Sequence, residues 1–168
     1  MAITYEPIAT TTLSTASANI EFTSIPGTYT DLVLAGTIRT TRAGEVTDQW
    51  TIEINSDTGS NYSGTYLYYG PSSGRVSSTT NIGLVRCPGA TATAGVFGYA
   101  IANFMNYSNA TTYKTFITKW SEYTFYEMGT TVSLWRNTNA ITSLKILSTT
   151  SSNLAVGTSL TLYGIKAA

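Results

Sequence analysis

The chain has 168 residues, nine basic and nine acidic side chains, no histidine, and one cysteine, Cys87. That length fits one domain able to bury roughly two-thirds of its unfolded surface. The lone cysteine excludes an internal disulfide, and the balanced charge excludes the basic footprint of a nucleic-acid binder. Charged residues make up 11% of the chain, less than half the usual fraction of about 25%. Polarity comes instead from Thr, Ser, Asn and 12 Tyr, groups that hydrogen-bond at contacts without ion-pair desolvation.

The first stretch, MAITYEPIATTTLS (1–14), has no cationic region before an apolar core, so it does not read as a secretion signal. It is Thr-rich and interrupted by Pro7. Two readings are open: an extended arm that adds a strand to a neighbour through Tyr5, Pro7 and Ile8, or the first strand of the home sheet. SANIEFTSI (17–25) is the next strand-like run. DLVLAGTIRTT (31–41) then sets Leu32, Leu34 and Ile38 on one face, and WTIEIN (50–55) turns Trp50, Ile52 and Ile54 inward. YSGTYLYY (62–69), NIGLVRC (81–87), KTFITKW (114–120), GTTVSLWRN (129–137) and ITSLKILST (141–149) alternate in the same way.

GVFGYAIANFMNYS (95–108) is apolar on both faces and reads as a central strand covered on both sides. WSEYTFYEM (120–128) is the best local helix candidate, but its aromatic and Thr content favours strand. In GTSLTLYGIKAA (157–168), Leu160 and Leu162 oppose Thr161, Tyr163 and Ile165, the pattern of a strand locked into a sheet. Gly-, Pro- and Asn-rich turns separate these runs, GPSSGR (70–75) among them. The expectation is one all-β domain over 1–168, an antiparallel sandwich or barrel of about 9–11 strands. Residues 1–84 sum to −4 and the remainder to +4, and the two halves are expected to interleave. No apolar run approaches the ~20 residues of a membrane span.

Without histidine, Ser-His-Asp and Cys-His nucleophile sets and the common zinc geometries are absent. No phosphate-cradling glycine motif occurs. Two carboxylate pairs, Glu53 with Asp57 and Glu122 with Glu127, are the residue types that glycoside hydrolysis uses. The expectation is nonetheless a protein that is not an enzyme and carries no cofactor or metal. NSDTGSN (55–61) spaces Asn55, Asp57 and Asn61 as a calcium loop would. Its glycine is fifth rather than sixth, and position twelve is Tyr66 rather than an acid, so an Asx-type turn is expected. Tyr62, Tyr66, Tyr68 and Tyr69 read as an assembly interface, a carbohydrate platform or ordinary cross-strand packing.

ANIEFTSIPGTYTDLVLAGTIR (18–39), INSDTGSNYS (54–63), ITSLKIL (141–147) and the terminal GTSLTLYGIKAA, in that order, resemble virion structural proteins of tailed bacteriophages, including C-terminal modules of tail fibres. The resemblance spans nearly the whole chain and brings no catalytic motif. It implies a jelly-roll-like sandwich that assembles, commonly as a homotrimer, on a virus particle. Because the sequence begins at Met1 without the long shaft of a fibre, the expectation is a capsid decoration (cement) protein. Such a protein is assembled in the host cytoplasm and bridges the major capsid protein, with no nucleic-acid or membrane partner. The alternative is a tail-fibre tip or tail accessory protein that binds host surface glycans.

Overall fold

Alternation along the sequence becomes alternation of burial. A computed structural model describes residues 5–68 and 73–166. Within them the chain forms twelve strands and no helix: β1 (Tyr5–Thr12), β2 (Asn19–Phe22), β3 (Asp31–Ile38), β4 (Thr47–Ile54), β5 (Tyr62–Tyr68), β6 (Ser73–Thr79), β7 (Ile82–Pro88), β8 (Gly98–Phe104), β9 (Lys114–Glu122), β10 (Glu127–Trp135), β11 (Leu144–Ser148) and β12 (Ser159–Ile165). They make two antiparallel sheets. The larger has eight strands in the order β1-β12-β3-β8-β9-β10-β5-β6, and the smaller has four in the order β2-β11-β4-β7.

The inward positions of the two sheets share one core. Ile20, Phe22, Trp50, Ile52, Ile54, Leu144 and Ile146 come from the smaller sheet. Leu32, Leu34, Phe104, Phe116, Trp135, Leu160 and Leu162 come from the larger. Each such side chain contributes roughly 1.5–3 kcal/mol by leaving water, so the architecture is an antiparallel β-sandwich. The chain alternates between the layers: β1 in the large sheet, β2 in the small, β3 large, β4 small, β7 small, β8 large, β11 small, β12 large. The hairpins β5–β6 and β9–β10 are inserted into this weave, and both extend the large sheet past β8.

Several expectations change. Of the two readings of the N-terminal stretch, residues 5–12 take the second, the first strand of the home sheet. They are strand β1, paired along their length with β12 from Tyr5↔Ile165 to Thr12↔Ser159, with an irregularity at Pro7; residues 1–4 lie outside the described residues. Strand β8 is covered on one side only, because Gly98, Ala100, Ala102 and Phe104 are buried while Tyr99 is exposed. The run 120–128 is the end of β9, a turn at 123–126 and the start of β10. Strand β6 lies partly where a turn was read. Cys87 is fully buried, and burial pushes its thiol pKa well up, so it packs as a small apolar side chain.

Strand β12 sits between β1 and β3. Deleting residues 160–168 would therefore unpair two strands and remove buried Leu160 and Leu162. The expected outcome is insoluble protein on expression. A soluble truncation with a cooperative unfolding transition would contradict that.

Candidate functional site

The two outer surfaces of the sandwich differ in chemistry. On the smaller sheet, Glu21, Lys145 and Glu53 stand in one cross-strand row, with Lys145 Nζ 2.7 Å from Glu53 Oε1. On the larger sheet, the register produces long rows with few charges, Lys119 in one and Arg75, opposite Thr65, at the end of another. One runs Tyr163, Val33, Asn103, Ile117, Val132, Thr65; the next runs Thr161, Ala35, Ile101, Lys119, Thr130, Leu67. Methyl and hydroxyl groups dominate them. Leu67 (64% exposed), Met128 (62%), Tyr99 and Val132 lie open on this face.

At one corner the β9–β10 turn carries Tyr123, Phe125 and Tyr126, the last 72% exposed. Tyr123 and Tyr126 meet edge to face at 5.4 Å. Glu122 and Glu127 sit opposite each other at the base of this turn. Glu122 accepts the backbone N–H groups of Thr124 (2.6 Å) and Phe125 (2.7 Å), which locks the turn. Glu127 ion-pairs with Arg86 at 3.3 Å. The tip is thus apolar, and both carboxylates beneath it are partnered.

Beside the turn, an aromatic ladder lines the inner side of the large sheet where it extends past the core. Tyr66 stacks on Tyr68 at 5.8 Å, and Tyr68 tilts against Trp120 at 6.3 Å. The Arg86 guanidinium lies 5.6 Å from the Tyr68 ring centre. Glycine makes room for the ladder at Gly129, where a Cβ would lie 2.6 Å from Trp120 Cζ2. A groove of about 580 Å³ opens at this end of the sheet, lined by the outward Leu67, Lys119, Met128 and Thr130 together with Tyr68, Trp120 and Gly129. Trp120 Nε1 and Thr131 Oγ1 are buried without a hydrogen-bond partner among the described residues.

The expected site residues fall into separate groups. Tyr66 and Tyr68 come together in the ladder, and Tyr69 lies outside the described residues. Tyr62 is a correction, being fully buried; its hydroxyl donates to Asp57 O at 3.0 Å and accepts the Ile54 N–H at 3.0 Å. Burial pushes its phenol pKa well up. Tyr5, Pro7 and Ile8 lie at the opposite edge of the sheet, on β1. Tyr5 is exposed and packs edge-on against Tyr163 at 6.3 Å, while Ile8 packs on the core. The turn aromatics 123–126 were missed as a surface. The three aromatics in YTFY carried the signal, but they were read as strand formers.

The 55–61 loop is built around Asp57. Its carboxylate accepts the Trp135 indole N–H at 2.7 Å, the Asn61 amide at 2.9 Å and the Gly59 N–H at 2.9 Å. Partial burial opposes the charged form, but these hydrogen bonds outweigh it and hold the pKa below the ordinary 3.8. The carboxylate is occupied by the fold, as an Asx-type turn requires. Compared with known proteins, the chain matches no family model and no curated sequence.

Asp57→Ala leaves the Trp135 indole N–H buried without its acceptor, a loss of about 1–3 kcal/mol. The folded pKa is depressed, so the carboxylate's contribution is complete above the unfolded value and drains as pH falls through the folded one. Urea unfolding followed by tryptophan fluorescence should show Asp57→Ala less stable at neutral pH. The deficit should shrink in strong acid; an equal deficit at every pH would refute the assignment.

Proposed function

We propose that this protein is a structural component of a bacteriophage virion, a decoration protein that adheres to the capsid exterior and to its own copies as a trimer. The observation that carries this reading is the contrast between the two outer faces. One carries a row of three charges, Glu21, Lys145 and the buried Glu53, and the other is a broad sheet surface mainly of methyl and hydroxyl groups ending in an exposed aromatic turn. Contiguous exposed apolar surface on a domain this size marks an interaction site. The strand weave supports a jelly-roll reading: without the two inserted hairpins, the sheets are β1-β12-β3-β8 and β2-β11-β4-β7, an eight-stranded double sheet. The resemblance of the segments 18–39, 54–63, 141–147 and 157–168 to phage virion proteins favours the same reading.

On a capsid such a domain acts mechanically. Each copy makes modest contacts, and linkage of copies in a ring raises the effective concentration of the others. A bridge between capsid subunits then resists outward pressure without any chemical step. Purified tailless capsids should carry this chain in fixed ratio to the major capsid protein by mass spectrometry. Its confinement to tails, or its absence from particles, would reject the decoration role.

One observation favours a second reading, a tail component that binds host glycans. Tyr68 and Trp120 of the ladder line part of a groove of a size suited to a small ligand, and Trp120 Nε1 has no hydrogen-bond partner among the described residues. Aromatic faces stack on sugar C–H groups, and an indole N–H can donate to a hydroxyl. Under this reading, soluble protein blocks phage adsorption, and Tyr66→Ala with Tyr68→Ala abolishes the block. If the double variant blocks adsorption as well as wild type, the ladder is structural.

A further inference from the structure

The adhesive surface can be located. We propose that a second copy of this chain seats on the outer face of the central strands β3, β8, β9, β10 and β5, with the 123–126 turn at its corner forming part of the contact. This inference rests on the reading of the protein as one that assembles with itself.

Three observations support it. The first is the distribution of apolar groups. Half-buried Ile101 and Ile117 and exposed Val132 occupy the middle of this face, and Thr161, Ser159, Ser73, Ser77 and Arg75 flank them on β12 and β6. An apolar centre within a polar rim is the anatomy of an interface. The second is area. Five strands spaced about 4.8 Å apart, each about seven residues long at about 3.3 Å per residue, present roughly 550 Å². Two such faces together bury about 1,100 Å², above the roughly 1,000 Å² that a specific interface needs.

The third is charge. Lys119 is the one cation among these central outward positions, and its aliphatic stem lets the ammonium reach the rim. The turn adds no charge, since Glu122 is consumed by backbone N–H groups and Glu127 by Arg86. Two copies meeting here bury no unpaired carboxylate, and the cations of the face, Lys119 and the exposed Arg75 opposite Thr65, have stems long enough to keep their charge at the rim in water. The smaller sheet would have to desolvate Glu21 and Lys145 in the same act, Glu53 being already buried against Lys145. A closed ring further needs two different patches per subunit. A protruding apolar turn next to an apolar face supplies both.

The test is native mass and sedimentation equilibrium on the full chain across a concentration series. Three variants sit at exposed positions, so the fold tolerates them: Val132→Asp, Met128→Glu, and Phe125→Ser with Tyr126→Ser. Each should move the assembly midpoint to at least about tenfold higher concentration. Glu21→Arg on the opposite sheet should leave it unchanged, and far-ultraviolet circular dichroism should match wild type throughout. If wild type assembles and the face variants assemble equally well, the surface is wrong while the assembling reading stands. Loss of assembly in Glu21→Arg alone overturns the proposal in favour of the smaller sheet. A wild type that stays monomeric throughout overturns self-association and the reading beneath it.

Discussion

Four strands do not cover eight, and the rest of the structure follows from that inequality. The smaller sheet closes the core over the middle of the larger one, where Trp50, Ile52, Ile54 and Ile146 meet Leu34, Phe104 and Leu162. The β5–β6 and β9–β10 hairpins lengthen the large sheet beyond β8. Their inner side joins the common core under β7 through Tyr62, Phe116, Trp120 and Trp135, and the Tyr66–Tyr68 stack with Arg86 continues that cover. Their outer side, with the aromatic turn, has no protein layer over it.

The few charges reinforce this division. Arg39 donates to the carbonyls of Ala92 (2.8 Å), Thr93 (2.7 Å), Val96 (3.1 Å) and Ala90 (3.3 Å), fastening one long loop. Asp48 is buried and accepts the hydroxyls of Ser148 (2.8 Å) and Thr150 (3.0 Å), with Arg42 3.5 Å away. Lys114 is buried with its ammonium on the carbonyls of Thr112 (2.8 Å) and Thr138 (3.0 Å), and burial lowers its pKa. Pairs such as Glu6–Lys166 and Glu53–Lys145 join the acidic and basic halves of the sequence. With most charge spent on loops, strand ends and the small sheet, the large outer face is left mainly to hydroxyls and hydrocarbon, with Lys119 and Arg75 as its cations.

Where burial is one-sided, the sequence is easy to read. Leu32, Leu34 and Ile38, then Trp50, Ile52 and Ile54, then Leu160 and Leu162 all point where their spacing said. Strand β6 was illegible because SGRVSST at a sheet edge has almost no apolar residue to alternate. Strand β8 misled because the outward Tyr99 and Ile101 look like core residues, and that same excess of outward apolar groups is what defines the candidate surface. Tyr62 was indistinguishable in sequence from Tyr66 and Tyr68; only the pairing of β5 with β10, over the 55–61 loop, separates a core phenol from a ladder. Asp57 was legible as a turn former, but its indole partner, 78 residues away, was not.

The central claim is that the exposed side of the large sheet is the working surface. A density map of the assembled protein at side-chain resolution tests it most directly. The account requires a neighbour over β8, β9 and β10, with the Glu21–Lys145–Glu53 row open to solvent. A map with that charged row buried against a neighbour and the eight-stranded face bare to solvent would contradict it.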